Sequence, residues 1–397
     1  RGRMRYSLLH SVFRRSPICS ILLLLFSLFR NVLVFVFLVL ELIVVRVGAD
    51  LCALLGLDEL DVGEGSAAKN LRTLLPGVTP GNARRCAFCC DDRHIEDIVS
   101  DGHMDNHLRL AVGMGMDPVQ AITMCTLNAA ECFGLRNKGA IAPGRDADFI
   151  LVDDLKAFRV RKVFTAGRLI AEDGRVLIPL DDAAAGAPSH SIHLKPLAED
   201  ALSLPVRTGK ARVIGIEPAS LVTKSLVREV NTDDAGCFQS ALNPGLTKIA
   251  VIERHKRTGK LGIGILEGYG LTGGAIATTI SHDSHNIVVA GDNDPDMLLA
   301  VRELADMGGG IVSVHGGSIR RLPLPIAGLM TSADPQEVNA VLHDMLVAAR
   351  AELGIPEDVE PFMTLSFMAL PVIPELKLTA RGLFNVNTFS FVGVEAD

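Results

Sequence analysis

The apolar residues of this chain follow several different spacings, and each predicts a different kind of structure. From 18 to 45 they are almost continuous, broken by Arg30, Asn31 and Glu41. Over 85–90 (Arg-Cys-Ala-Phe-Cys-Cys) the run is short enough for one buried strand. Ile95, Ile98 and Val99, then Met104, Leu108, Ala111 and Val112, recur at helical spacing and predict two consecutive helices. Asp117-Pro118 opens a third, because an Asp side chain accepts the first free amides and proline loses nothing at the first helical position. That helix is expected to run through Met124 towards Phe133 and to stop at Gly134.

After Gly139 the period shortens to that of strands. Residues 149–152, 160–165, 168–171 and 175–178 read as strands, with Ala166-Gly167 and Asp173-Gly174 as hairpin turns. From about Val206 strands (249–254, 287–290, 311–314) alternate with helices opened by Asp294-Pro295 and by the capping box Asp334-Pro-Gln-Glu337. The pattern predicts an α/β chain: an apolar leader over 1–50, a strand-and-helix unit over 51–138, a small β domain over 139–180, an Ala/Asp/Ser/Pro-rich linker over 181–205, and a C-terminal α/β domain over 206–397. Six glycines between Gly262 and Gly274 make no nucleotide fingerprint, since no Gly-x-Gly-x-x-Gly leads into a helix; they are expected to permit turns and close packing.

The leader differs from the rest. Its apolar run is long enough to span a bilayer and follows a basic head of Arg1, Arg3, Arg5, Arg14 and Arg15. Arg30 and Glu41 would be costly in lipid. The leader therefore reads as non-native sequence from a mis-assigned start or shifted frame, with a membrane segment as the alternative; membrane contact is expected only if 18–45 is genuine. Net charge of -7, two Tyr and no Trp argue against nucleic acid as a partner. Eight scattered Cys fit a reducing cytoplasm better than a disulfide framework.

The chemistry-bearing stretch is Cys-Asp-Asp-Arg-His over 90–94, where the predicted strand ends in two carboxylates, an Arg and a His. Barrel enzymes place catalytic groups at the C-terminal ends of strands, where a carboxylate serves as metal ligand or proton carrier; a solvated turn in which Asp caps the next helix is the plain alternative. Cys86-x-x-Cys89 near His94 lacks the order a deaminase zinc site needs and reads as buried strand. His103 and His107, four apart, could face one metal, but a polar helix surface is the simpler reading. Ser-His-Asp-Ser-His-Asn over 281–286 is a second polar cluster; strand alternation would put His282, Ser284 and Asn286 on one face and Asp283 with His285 on the other. Either substrate or metal contact, or a structural hydrogen-bond network, would account for it.

Taken together these segments resemble the adenine deaminase branch of the amidohydrolase superfamily. The stretch from Gly139 through Pro143-Gly144-Arg145-Asp146 to Val152 is similar to that superfamily's return into its small β domain, and 117–128 to the helix before it. Cys90 to His94 followed by Gly102-His-Met-Asp105 narrows the resemblance to adenine deaminase, and 281–286 with 361–374 resemble its C-terminal domain. The resemblance implies the terminal portion of a TIM-like barrel, a small β domain and a C-terminal α/β domain. It implies hydrolytic deamination of adenine to hypoxanthine and ammonia, in cytoplasmic purine salvage, by a homo-oligomer using a divalent metal: manganese first, iron or zinc otherwise. Asp91 matches the family's metal-binding and proton-carrying aspartate. Asp92, Arg93 and His94 would orient Asp91 or the purine, and His282, Asp283 and His285 are candidate site contacts.

One departure is large. The family opens its barrel with a His-x-His pair, and none of the eleven histidines here lies two positions from another. The expectation is an adenine deaminase in which most metal ligands are missing, so that this polypeptide alone is inactive. The alternatives are an inactive, membrane-tethered remnant or another amidohydrolase acting on a cyclic amide or amidine.

Overall fold

A computed structural model of the chain describes residues 60–63, 71–90, 93–179, 188–218 and 220–396. The leader and its apolar run lie outside the described residues. Among the described residues no helix is long and apolar enough to cross a membrane.

The first unit is small. Strand β1 (Leu60–Gly63) pairs in parallel with β2 (Cys86–Cys89), the strand expected from the apolar run. Helices α1 (Leu71–Leu74), α2 (Ile95–Asp101), α3 (Met104–Gly113), α4 (Pro118–Thr123) and α5 (Ala129–Cys132) surround the pair, with a π-helical turn over Met124–Asn128 joining the last two. Asp117 caps α4 by accepting the Gln120 amide at 3.0 Å. Leu71, Phe88, Leu108, Ala121 and Met124 form the core of this unit. The described residues are mixed α/β and contain no closed barrel; the parallel pair β1–β2 stands where the sequence suggested the end of one.

Strands β3 (Phe149–Val152), β4 (Val160–Thr165), β5 (Arg168–Glu172) and β6 (Arg175–Val176) form an antiparallel sheet. Its turns are at Ala166-Gly167 and Asp173-Gly174, where all four residues have positive φ, as a tight two-residue hairpin requires.

The largest element is an eight-stranded sheet built from β7 (Lys210–Ile216), β8 (Thr223–Glu229), β9 (Leu246–Ile252), β10 (Leu261–Glu267), β11 (Gly274–Thr278), β12 (Ile287–Gly291), β13 (Gly310–His315) and β14 (Ser318–Pro323). The spatial order is β14-β13-β11-β12-β9-β10-β7-β8, and the one parallel pairing in it is β10 with β7. Alternation divides its side chains. Ala250, Ile252, Ala275, Ala277, Val289 and Val312 face helix α6 (Asp294–Asp306), which inserts Met297, Leu298, Val301 and Leu304. Ile249, Val251, Ile276, Val288 and Ala290 face the other way, against α7 (Pro335–Ala351), α8 (Pro361–Met368) and a short sheet of β15 (Leu376–Thr379), β16 (Gly382–Asn385) and β17 (Ser390–Phe391). Buried on both faces, the central strands are apolar throughout. The stretch 188–205, read as part of a linker, has no regular structure but is packed: Leu202 and Leu204 are buried, and His193 donates its amide to Arg254 O at 2.7 Å.

Lys377 in β15 is fully buried, and its Nζ donates to Leu221 O at 2.8 Å. Burial lowers its pKa from 10.5 to about 7. Between those values the unfolded chain holds a proton that the folded chain has lost, so this group's contribution to stability rises with pH. Lys377→Met is expected to stabilise the fold most below pH 7, where the folded chain must bury an ammonium, and the gain should fade towards pH 10. Each unit of lowering corresponds to about 1.4 kcal/mol. Urea midpoints at pH 6, 8 and 10 check this; an equal gain at all three pH values would contradict it.

Candidate functional site

The candidate site begins where β2 ends. His107, on α3, is fully buried and holds the strand end: its Nε2 lies 2.7 Å from Cys89 O, and its Nδ1 3.1 Å from His103 O. This corrects the reading of His103 and His107 as a polar helix surface. His103 is exposed while His107 turns inward, because a strand end beside a helix leaves a carbonyl that the ring can satisfy. Cys90 Sγ lies 3.1 Å from Met104 Sδ. Asp91 and Asp92 lie outside the described residues.

Arg93 and His94 follow and point in different directions. The Arg93 side chain is 3% exposed; its Nε donates to Gly102 O at 3.0 Å and its Nη2 to Asp97 O at 3.2 Å, closing the C-terminal turn of α2. The His94 ring reaches the C-terminal layer instead. Its Nε2 lies 3.2 Å from Glu360 Oε1, both side chains being mostly buried (14% and 17% exposed). The contact is an ion pair only when the imidazole is protonated, and it lacks the alignment of a good hydrogen bond. A cleft of about 390 Å³ opens beside the pair, lined by Glu96, Glu217, Arg350 and Thr364 among others.

The 281–286 cluster is a turn, not a strand, which overturns the alternation expected for it. His285 has φ of 46°, and the His282 and His285 rings meet edge to face at 6.0 Å instead of facing apart. Arg254, itself 1% exposed, fixes the turn: its Nε donates to His285 O, its Nη1 to Ser191 Oγ at 2.9 Å and its Nη2 to Ala327 O at 3.0 Å. Burial first, then the neighbouring His282 and Arg254, hold the His285 imidazole below its ordinary pKa. His282 donates its amide to Ser366 O at 3.1 Å and lays its ring 4.5 Å from Phe367. Among the described residues, His282 Nε2 and Ser281 Oγ are buried without a hydrogen-bond partner.

Both groups of candidates therefore meet α8. Glu360, its cap, touches His94, and Ser366 with Phe367 near its far end touch His282. At 1.5 Å per residue these points lie roughly 9 Å apart along the helix. Periodicity carried no signal for Glu360, whose partner is more than 260 positions away.

Comparison with known proteins settles the relationship. The family model described as adenine deaminase C-terminal domain matches residues 220–390, and that of the amidohydrolase family matches residues 50–170. Over these residues the chain is similar to adenine deaminases. It is 60% identical over 332 residues to an adenine deaminase of Nitratidesulfovibrio vulgaris (Hildenborough), covering 83% of this chain and 57% of that one. It is 46% identical over 334 residues to adenine deaminase 2 of Desulfotalea psychrophila (84% and 58% covered) and 45% identical over 340 residues to an adenine deaminase of Geobacillus kaustophilus (84% and 58%). The chain thus spans a little over half the length of the curated relatives it matches. A solved β-aspartyl dipeptidase of Fervidobacterium islandicum AW-1 shares 24% identity over 32% of this chain and 34% of its own, with a TM-score of 0.26, too low to support an argument.

Family members of this kind are metal-dependent hydrolases. The described residues do not fit a metal centre by themselves: no three His, Cys, Asp or Glu side chains among them are grouped to hold an ion.

Proposed function

We propose that this chain supplies the last barrel strand, the small β domain and the C-terminal domain of an adenine deaminase that converts adenine and water to hypoxanthine and ammonia. The observation that carries this reading is the 60% identity to the Nitratidesulfovibrio vulgaris enzyme over 332 residues. In this reading 51–138 is the last part of the barrel, 139–180 the small β domain, 181–205 the connection and 206–397 the C-terminal domain.

Asp91 follows β2 at the place where barrel enzymes carry their chemistry. It takes the proton from the attacking water as the C6–O bond forms, and returns it to the exocyclic nitrogen as the C6–N bond breaks and ammonia leaves. Asp92, Arg93 and His94 orient Asp91 or the purine; Arg93 does so by fixing the turn that closes α2. His282, Asp283 and His285 approach the substrate, a role supported by the buried, unpartnered Nε2 of His282. The cofactor of this reading is a divalent ion, manganese before iron or zinc. One aspartate does not hold such an ion at useful affinity, so the other ligands come from outside the described residues, and no step is assigned to the ion. The setting is cytoplasmic purine salvage. A homo-oligomer would cover apolar surface such as Phe133 and Ile141, which are 77% and 86% exposed.

The test is ammonia release from adenine by the purified chain with manganese. No turnover above the blank is expected; turnover at the rate of a full-length relative would contradict the account. Fractionation of cells tests the setting, with the chain expected in the soluble fraction.

A further inference from the structure

Three consecutive residues after Asp91 and Asp92 dock on the C-terminal layer. His94 Nε2 meets Glu360 Oε1 at 3.2 Å. Ile95 packs against the core cluster that contains Leu342 and Leu346 of α7 and Phe362 of α8. Glu96 Oε1 meets His343 Nδ1, on α7, at 2.7 Å. The rest of α2 shares little of this: Val99 is 71% exposed, and no residue of the helix is fully buried.

The contacts are unequal. The His343 side chain is 61% exposed, and an ion pair so open to water contributes little. His94 and Glu360 are mostly buried, and Glu360 is itself held: its Oε2 accepts the Met363 amide, and the next residue, Pro361, has its carbonyl bonded by the buried Tyr269 hydroxyl at 2.7 Å. Glu360 is thus a fixed anchor on a rigid core, and His94 is the side chain that reaches it.

We propose that Glu360 is a positioning residue, which through His94 holds the start of α2, the segment into which β2 leads, against the C-terminal domain. The inference rests on the adenine deaminase reading only for what that segment does chemically; the clamp itself is a statement about structure. It gives the C-terminal domain a task beside β2: it supplies no reacting group here, but it sets where the start of α2 lies. Ile95 and the Glu96–His343 pair guide the same docking.

Amide hydrogen exchange on the full chain tests this without requiring turnover. Glu360→Gln keeps an oxygen for the Met363 amide and removes the charge that faces His94. It is expected to raise exchange of amides 93–101 at least tenfold while those of β9 and β12 stay protected. His94→Gln should do the same, and the double variant should exchange no faster than either single one, because two partners in one contact are not additive. If exchange of 93–101 is unchanged in Glu360→Gln, or if the two single effects multiply in the double variant, the clamp is wrong. A wild-type preparation without adenine turnover, even when supplied with the missing ligands, would instead remove the deaminase reading and leave the exchange result to decide the clamp on its own.

Discussion

Asp91→Asn is expected to reduce adenine turnover by about 10²- to 10⁴-fold, the range that a positioned acid–base group contributes. The measurement is made on this chain combined with the N-terminal part of the Nitratidesulfovibrio vulgaris relative, which would carry the ligands the described residues lack. Asn has the size of Asp and can still accept a hydrogen bond, but it cannot take a proton from water near neutral pH. The loss should therefore appear in kcat, with KM for adenine little changed, because the amide still fills the space beside the purine. Asp92→Asn provides the comparison: as an orienting residue it should lose less. An Asp91→Asn preparation within threefold of wild type would show that this carboxylate carries no proton in the reaction.

Gly274→Ala is expected to lower stability by roughly 3 kcal/mol, the upper end of the usual range for overpacking. Gly274 opens β11 in the middle of the large sheet, and a Cβ there would lie 1.9 Å from Val314 O and 2.9 Å from the Leu353 side chain. The first contact is with backbone in the neighbouring strand, so relief requires the strands to move apart. Gly113→Ala should have the opposite sign. A Cβ on Gly113, at the end of α3, would meet nothing within 4 Å, and its φ is not positive; alanine in a helix gains about 0.5–1 kcal/mol over glycine. Urea midpoints of the two variants check the pair. A Gly274→Ala midpoint equal to that of the native chain would mean the sheet is less tightly joined than described.

The same glycines explain part of what could be read from the sequence. β9 and β12 are legible because central strands buried on both faces are continuous apolar runs. β10 and β11 contain Gly262, Gly264 and Gly274, and glycine weakens the strand signal. Yet a Cβ on Gly262 would fall 2.1 Å from Thr379 O, so the residues that blur the pattern are the ones that let β15 and β16 lie against the sheet. The expectation of close packing identified their role without locating their strands.

The candidate site divides in a similar way. The Cys90–His94 stretch stood out because charge follows an apolar run. The direction of His94, the burial of His107 and the anchor Glu360 depend on contacts between elements far apart in sequence, which spacing does not encode. The 281–286 cluster looked like alternating strand because its polar residues are consecutive; Arg254, 27 or more positions earlier, folds it into a turn through the His285 carbonyl.

The proposed function gives this chain one part of an adenine-deaminating site whose further metal ligands are not found among the described residues. Mixing it with the N-terminal part of the Nitratidesulfovibrio vulgaris relative and manganese, and following hypoxanthine by absorbance, tests this most directly. Hypoxanthine is expected from the mixture and none from either piece alone. A mixture that forms a complex yet leaves adenine unchanged would contradict it.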